Sequence, residues 1–166
     1  TTPAPTTDAC LKPRFPALPP QAFVHYGNFI GETLKIASDL KVPHVTMGIM
    51  LGKAVKLAEG HLDTHSKSVG MKKAFLKEVA TEAGCSPAAA EAIDRLTLAR
   101  ELWSALPAND ARLFFSAILS RCHSACSTVY PNPNVTPGLT GGPVMPGPDR
   151  ASLTILLLDE DGYIFE

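Results

Sequence analysis

The order of apolar and polar positions divides the chain into an aperiodic start, a helix–strand–helix block, a helix-rich middle and a closing strand pair. Residues 1–14 are rich in Pro, Thr and Ala, show no usable period and read as a flexible linker. From Pro20 onward Ala22, Phe23, Tyr26, Phe29, Ile30, Thr33, Leu34 and Ala37 set an apolar stripe that predicts a helix ending near Leu40, with Gly27 and Gly31 one turn apart on it. Lys41-Val42-Pro43 ends that helix. Val42, Val45, Met47, Ile49, Met50 and Leu51 then fit a buried strand, Gly52 offers a tight turn, and Ala54, Val55, Leu57, Ala58 and Leu62 recur near helical period. A polar connection over 60–70 leads to a helix over 71–83 with Phe75, Leu76 and Val79 inward. Gly84 stops it, and Ser86-Pro87 starts the next, with Ser at the N-cap and Pro in the first helical position. A separate or kinked helix follows over 97–106, carrying Leu98, Leu102, Trp103 and Leu106. Pro107 breaks it, and Asn109 or Asp110 caps a long helix through 129. Residues 130–150 are too dense in Pro and Gly for a regular element and form a loop. Residues 151–158, ASLTILLL, read as a buried strand, and Asp161-Gly162 turns it into a hairpin. The sum is an α/β fold: a small sheet with covering helices, a helix-rich middle and a C-terminal β-hairpin.

Composition narrows the class. At 166 residues, 45% hydrophobic and 19% charged, the chain is one globular domain's worth of sequence. A formal net charge of -1 argues against a nucleic-acid partner. No apolar run approaches a membrane span and the start lacks a signal-peptide pattern, so a soluble state is expected, and free thiols fit a reducing cytoplasm. Cys122 and Cys126 flank His123 on one predicted helix, which invites a metal or redox reading. Zinc sites, however, usually collect cysteines in two close pairs, and no second pair is present, so buried structural thiols and no metal are expected.

The candidate chemistry gathers at 42–66. Strand, glycine and helix start together aim backbone N–H groups at an anion, which makes Gly52 and Lys53 candidates, with Thr64, His65 and Ser66 as nearby donors. Each has a plainer reading: a solvated helix lysine for Lys53, a helix cap or carbonyl partner for His65. Gly27 and Gly31 mark a close approach, either to a ligand or to a packed element.

The run Leu51-Gly52-Lys53-Ala54-Val55-Lys56-Leu57-Ala58-Glu59-Gly60, closed by Thr64-His65-Ser66, resembles the signature I-G-K-L-x-K-L-A-x-G…T-H-S of the cobalt-precorrin-5B C1-methyltransferases of anaerobic cobalamin synthesis. Upstream, Leu18-Pro19-Pro20-Gln21-Ala22-Phe23 followed by Gly27-Asn28-Phe29-Ile30-Gly31 is similar to the family's L-P-x-x-A-F…G-D/N-F-x-G element, in the same order. The resemblance covers residues 15–166 and corresponds to the C-terminal part of such an enzyme. A glycine- and threonine-rich N-terminal domain of the family is not found here and is expected as a missing partner.

The resemblance implies methylation of C1 of a cobalt-corrinoid precursor, with S-adenosylmethionine as cofactor, and substrate- or cofactor-binding roles for Gly27, Asn28, Gly31, Gly52, Lys53, Thr64, His65 and Ser66. Methyl transfer is an in-line displacement that demands position and a dry cavity, with no dedicated nucleophile. Two departures bear on the binding loops: Ile49 stands where the family usually has a glycine before G-K, and the acidic residue that often follows T-H-S is replaced near Gly70. Without G-x-G-x-x-G, no standard fingerprint locates the cofactor. Two other functions fit the same residues: a non-catalytic module cradling an anionic small molecule, and a structural domain whose glycines serve packing.

Overall fold

The apolar runs of the sheet are buried toward the carboxyl ends of its parallel pair, while Thr46 and Thr154 near its start stay exposed. A computed structural model describes residues 7–65, 71–131 and 151–166. β1 (His44–Met50) and β2 (Ser152–Leu158) pair in parallel over their full length, His44 opposite Ser152 and Met50 opposite Leu158. β3 (Ile164–Phe165) adds antiparallel to β2 through the expected hairpin, where Gly162 takes a φ of 88° and the Asp159 carboxylate accepts the N–H groups of Asp161 and Tyr163. Met47, Ile49, Ile155 and Leu157 are buried.

Seven α-helices surround the sheet among the described residues: α1 (Thr7–Leu11), α2 (Ile30–Asp39), α3 (Leu51–Ala58), α4 (Lys73–Glu82), α5 (Pro87–Arg95), α6 (Leu102–Ala105) and α7 (Ala108–Ser127). α3 buries Leu51, Ala54, Val55, Leu57 and Ala58 along one stripe and packs on α7, whose Phe114, Ile118, Cys122 and Cys126 complete the centre. The Cys122 thiol donates to the Ala54 carbonyl at 3.2 Å, a close approach that the small alanine permits. The four cysteines are free thiols. The α/β architecture is the one expected, and no helix of the described residues is long and apolar enough to cross a membrane.

Several local expectations are corrected. Residues 7–14 form α1 and a 3-10 turn rather than a linker: five helical residues are too few to show a period, yet Thr7 and Leu11 close over Gly48 of β1, where a Cβ would lie 2.5 Å from Leu11 Cδ1. The helix expected from Pro20 begins only at Ile30. Gly27 takes a φ of 58°, a left-handed turn that breaks the stripe, so Gly27 and Gly31 do not share a helix. Gly52 is not a turn but the second residue of α3; the swing out of the strand is made by Met50, extended at φ -74° and ψ 145°. Over 97–106 a 3-10 turn (Ala99–Glu101) precedes the four-residue α6, since the Glu101 carboxylate accepts the N–H groups of Thr97 and Leu98. Pro107, not Asn109 or Asp110, caps α7. Asp110 is buried one turn in, where its carboxylate accepts the Ser86 N–H at 3.0 Å and the Ser86 hydroxyl at 2.5 Å, tying α7 to the start of α5. Ser66 and residues 132–150 of the expected loop lie outside the described residues.

Candidate functional site

The residues singled out in the sequence fall into two places, a seam and a cleft, both built on the first turn of α3. At the seam, Gly27 turns the chain so that Phe29 bridges Asp63, the Asn28 carbonyl accepts the Thr64 N–H at 3.0 Å, and the Leu62 carbonyl accepts the Gly31 N–H at 3.1 Å. Gly31 has to be small here, because a Cβ would sit 2.8 Å from that of Leu62. The Lys53 ammonium donates to the Gly27 carbonyl at 2.6 Å and lies 5.6 Å from the centre of the Tyr26 ring. Burial, and then the neighbouring charge of Lys56, push the Lys53 pKa down. The seam therefore brings Gly27, Asn28, Gly31, Lys53 and Thr64 together.

Tyr26 anchors the seam to the sheet by donating its hydroxyl to the Gly48 carbonyl at 2.7 Å. Burial raises its pKa strongly. Thr64 is buried, and its Oγ1 has no hydrogen-bond partner. His65 is exposed, with its backbone N–H bonded to the Asp63 carboxylate at 3.1 Å.

The cleft, of ≈ 300 Å³, opens at the carboxyl ends of β1 and β2. Met50, Leu51, Gly52 and Lys53 form one wall, the 3-10 turn before α6 with Leu98 and Arg100 another, and Leu158, Asp159 and Glu160 the end of β2. Trp103 also lines it and stacks obliquely on Phe115, ring centres 4.2 Å apart, with its indole N–H buried and lacking an acceptor. The Arg100 and Glu160 side chains pair at 2.9 Å on the rim. No heavy atom lies within 4 Å of where a Gly52 Cβ would be, the chain neighbours and α3's own backbone aside. Sequence reasoning placed only Gly52 and Lys53 here. Asp159 and Glu160 reach the cleft through the pairing of β1 with β2, and Leu98, Arg100 and Trp103 through the packing of the 3-10 turn on α3; the one available signal was the acidic pair directly after the apolar run of β2. Among the described residues no three His, Cys, Asp or Glu side chains gather as metal ligands.

The cleft lies outside the carboxyl ends of the parallel strands, the place where open α/β sheets that bind ligands hold them. Residues 63–139 match the family described as CbiD, C-terminal domain. A cobalt-precorrin-5B C(1)-methyltransferase of Prosthecochloris aestuarii is 33% identical over 127 residues, covering 76% of this chain and 34% of the relative. One of a Geobacillus species is 33% identical over 109 residues, 66% of this chain and 30% of the relative. Another, of Polaromonas naphthalenivorans, is 28% identical over 159 residues, 94% of this chain and 38% of its own. These matches place the chain with the C-terminal part of the cobalt-precorrin-5B C(1)-methyltransferase family. The chain spans about a third of the length of the relatives it matches. No solved structure matches it.

Proposed function

We propose that the chain is the C-terminal part of an enzyme that methylates C1 of cobalt-precorrin-5B in cobalamin biosynthesis, with S-adenosylmethionine as methyl donor and the N-terminal portion of the longer relatives as its partner. The observation that carries this reading is the position of the Leu51-Gly52-Lys53 signature, which forms a wall of the cleft at the strand ends. The chemistry agrees, since displacement at a methyl carbon asks for orientation and exclusion of water, and this cleft is lined largely by apolar side chains. In this reading the seam sets the α3 start against the loop at 62–65. Lys53 keeps donors beyond the one given to Gly27, and with His65 and Ser66 it meets the carboxylate arms of the corrinoid. An apolar stripe of Phe29, Ile36 and Leu40, each at least half exposed, is the face on which the N-terminal portion docks.

A structural reading has one observation in its favour: Gly27, Asn28, Gly31 and Lys53 all have partners within the chain. Reconstitution decides between them. The chain is combined with the N-terminal portion of a longer relative and supplied with cobalt-precorrin-5B and methyl-labelled S-adenosylmethionine. Label is expected on the corrinoid, with a loss of about tenfold or more in Lys53→Ala and His65→Ala, equivalent to about 1.4 kcal/mol of transition-state binding. No transfer by a folded, associated pair contradicts the proposal.

A further inference from the structure

We infer that the cleft between the carboxyl ends of β1 and β2 and the start of α3 takes a nucleoside, the adenosine end of the methyl donor; the identification with that donor rests on the methyl-transfer reading above. Size selects between the two reactants. The cleft's ≈ 300 Å³ sits at the bottom of the range for pockets that enclose small ligands, so it holds a nucleoside and not a corrinoid macrocycle with its carboxylate arms.

The walls match that shape. Met50, Leu98 and Leu158 give an apolar floor for a flat base, and the Trp103 ring lines the same cleft. At the end of β2, Asp159 Oδ1 is fixed by the N–H groups of Asp161 at 2.9 Å and Tyr163 at 2.7 Å, which leaves Oδ2 without a hydrogen bond among the described residues. A fixed carboxylate beside a second one, Glu160, accepts from ribose hydroxyls. Lys53 and Arg100 also line the cleft, so its charges balance and the two carboxylates act as hydrogen-bond acceptors. Among the described residues Glu160 is engaged only by an exposed pair with Arg100, which separates at little cost.

Gly52 supplies the independent sign that something outside the chain approaches here. It has ordinary helical geometry rather than a positive φ, and no packed neighbour demands its smallness, whereas Gly31 meets Leu62 and Gly48 meets Leu11. A glycine in a helix is disfavoured relative to alanine. Its bare Cα leaves the wall open where a ligand can lie against the first-turn amides of α3.

Trp103 is the chain's one tryptophan, so its fluorescence reports on the cleft. The folded chain is titrated with S-adenosylhomocysteine and adenosine, with calorimetry in parallel. Both are expected to give a saturable change. Gly52→Leu, whose side chain projects into open space, is expected to melt no lower than the parent and to lose the response. Glu160→Gln is expected to weaken both ligands. The inference is overturned by no binding to the folded chain, or by calorimetric binding that leaves Trp103 silent or is indifferent to Gly52→Leu. If reconstituted enzyme methylates while Gly52→Leu leaves donor KM unchanged, this inference fails and the methyl-transfer reading stands. Gly52-dependent adenosine binding with no methyl transfer leaves the cleft assignment and removes the reaction.

Discussion

Gly31 and Gly52 belong to the two motifs that carry the family resemblance, yet their surroundings are opposite. Gly31 is held in a seam where a Cβ would collide with Leu62 and where its N–H is bonded to the Leu62 carbonyl; Gly52 faces a cleft with nothing within 4 Å. One glycine is explained by the chain's own packing. The other has no packed neighbour among the described residues that requires its smallness. Membership in a motif therefore does not settle a residue's duty, and the division between seam and cleft separates positions held by internal packing from those that face open space.

The largest effect is expected on the seam side. Gly31→Val forces Leu62 and the 62–65 loop away from α2 and should cost about 1–3 kcal/mol, seen as a lower denaturant midpoint. A Gly31→Val chain as stable as the parent would dissolve the distinction between the two glycines.

Alkali should act on the core that α3 shares with α7. Burial raises the thiol pKa of Cys122, and that of Cys126 from 9.0 to about 12. The unfolded state thus loses these protons first, and stability is expected to be full below 9.0 and to fall as pH rises from 9.0 toward 12. Melting temperatures across that window check it, and Cys126→Ala should flatten the slope.

Lys53→Met keeps the apolar stem and removes the donor to the Gly27 carbonyl. The expected cost is about 1 kcal/mol, at the lower end for a charged donor because the side chain is partly exposed. Thr64→Val replaces a buried hydroxyl that has no partner by a methyl of nearly the same shape, so chemical denaturation should show a change between zero and a gain of about 1 kcal/mol. A gain of similar size is expected at the cleft: Gly52→Ala should stabilise by about 0.4–1 kcal/mol, because the native geometry suits alanine and the unfolded chain loses freedom. Destabilisation by Gly52→Ala would mean that the open wall is an internal requirement of the fold.

Much of the framework was legible because it is local. β1 and β2 are short apolar runs, α3 and α4 carry clean periods, and Ser86-Pro87 and Asp161-Gly162 mark their turns without long-range help. The seam was half legible: both motifs could be read, but the turn at Gly27 hid inside an apolar stripe that reads as helix. Asp110 misled for the same reason, since its value as a cap is local whereas its bond to Ser86 is tertiary. The cleft was the least legible. Its second wall comes from Asp159 and Glu160, which meet Gly52 only because Met50 is in register with Leu158, and spacing along the chain contains no register.

The division between seam and cleft is tested most directly by backbone amide shifts of the labelled chain on addition of S-adenosylhomocysteine. The prediction is that perturbations concentrate at Gly52, Lys53, Leu98, Arg100, Asp159 and Glu160, with Asn28, Gly31 and Thr64 unmoved. Shifts confined to Gly27–Gly31 and the Thr64 loop, with the cleft residues silent, would contradict it.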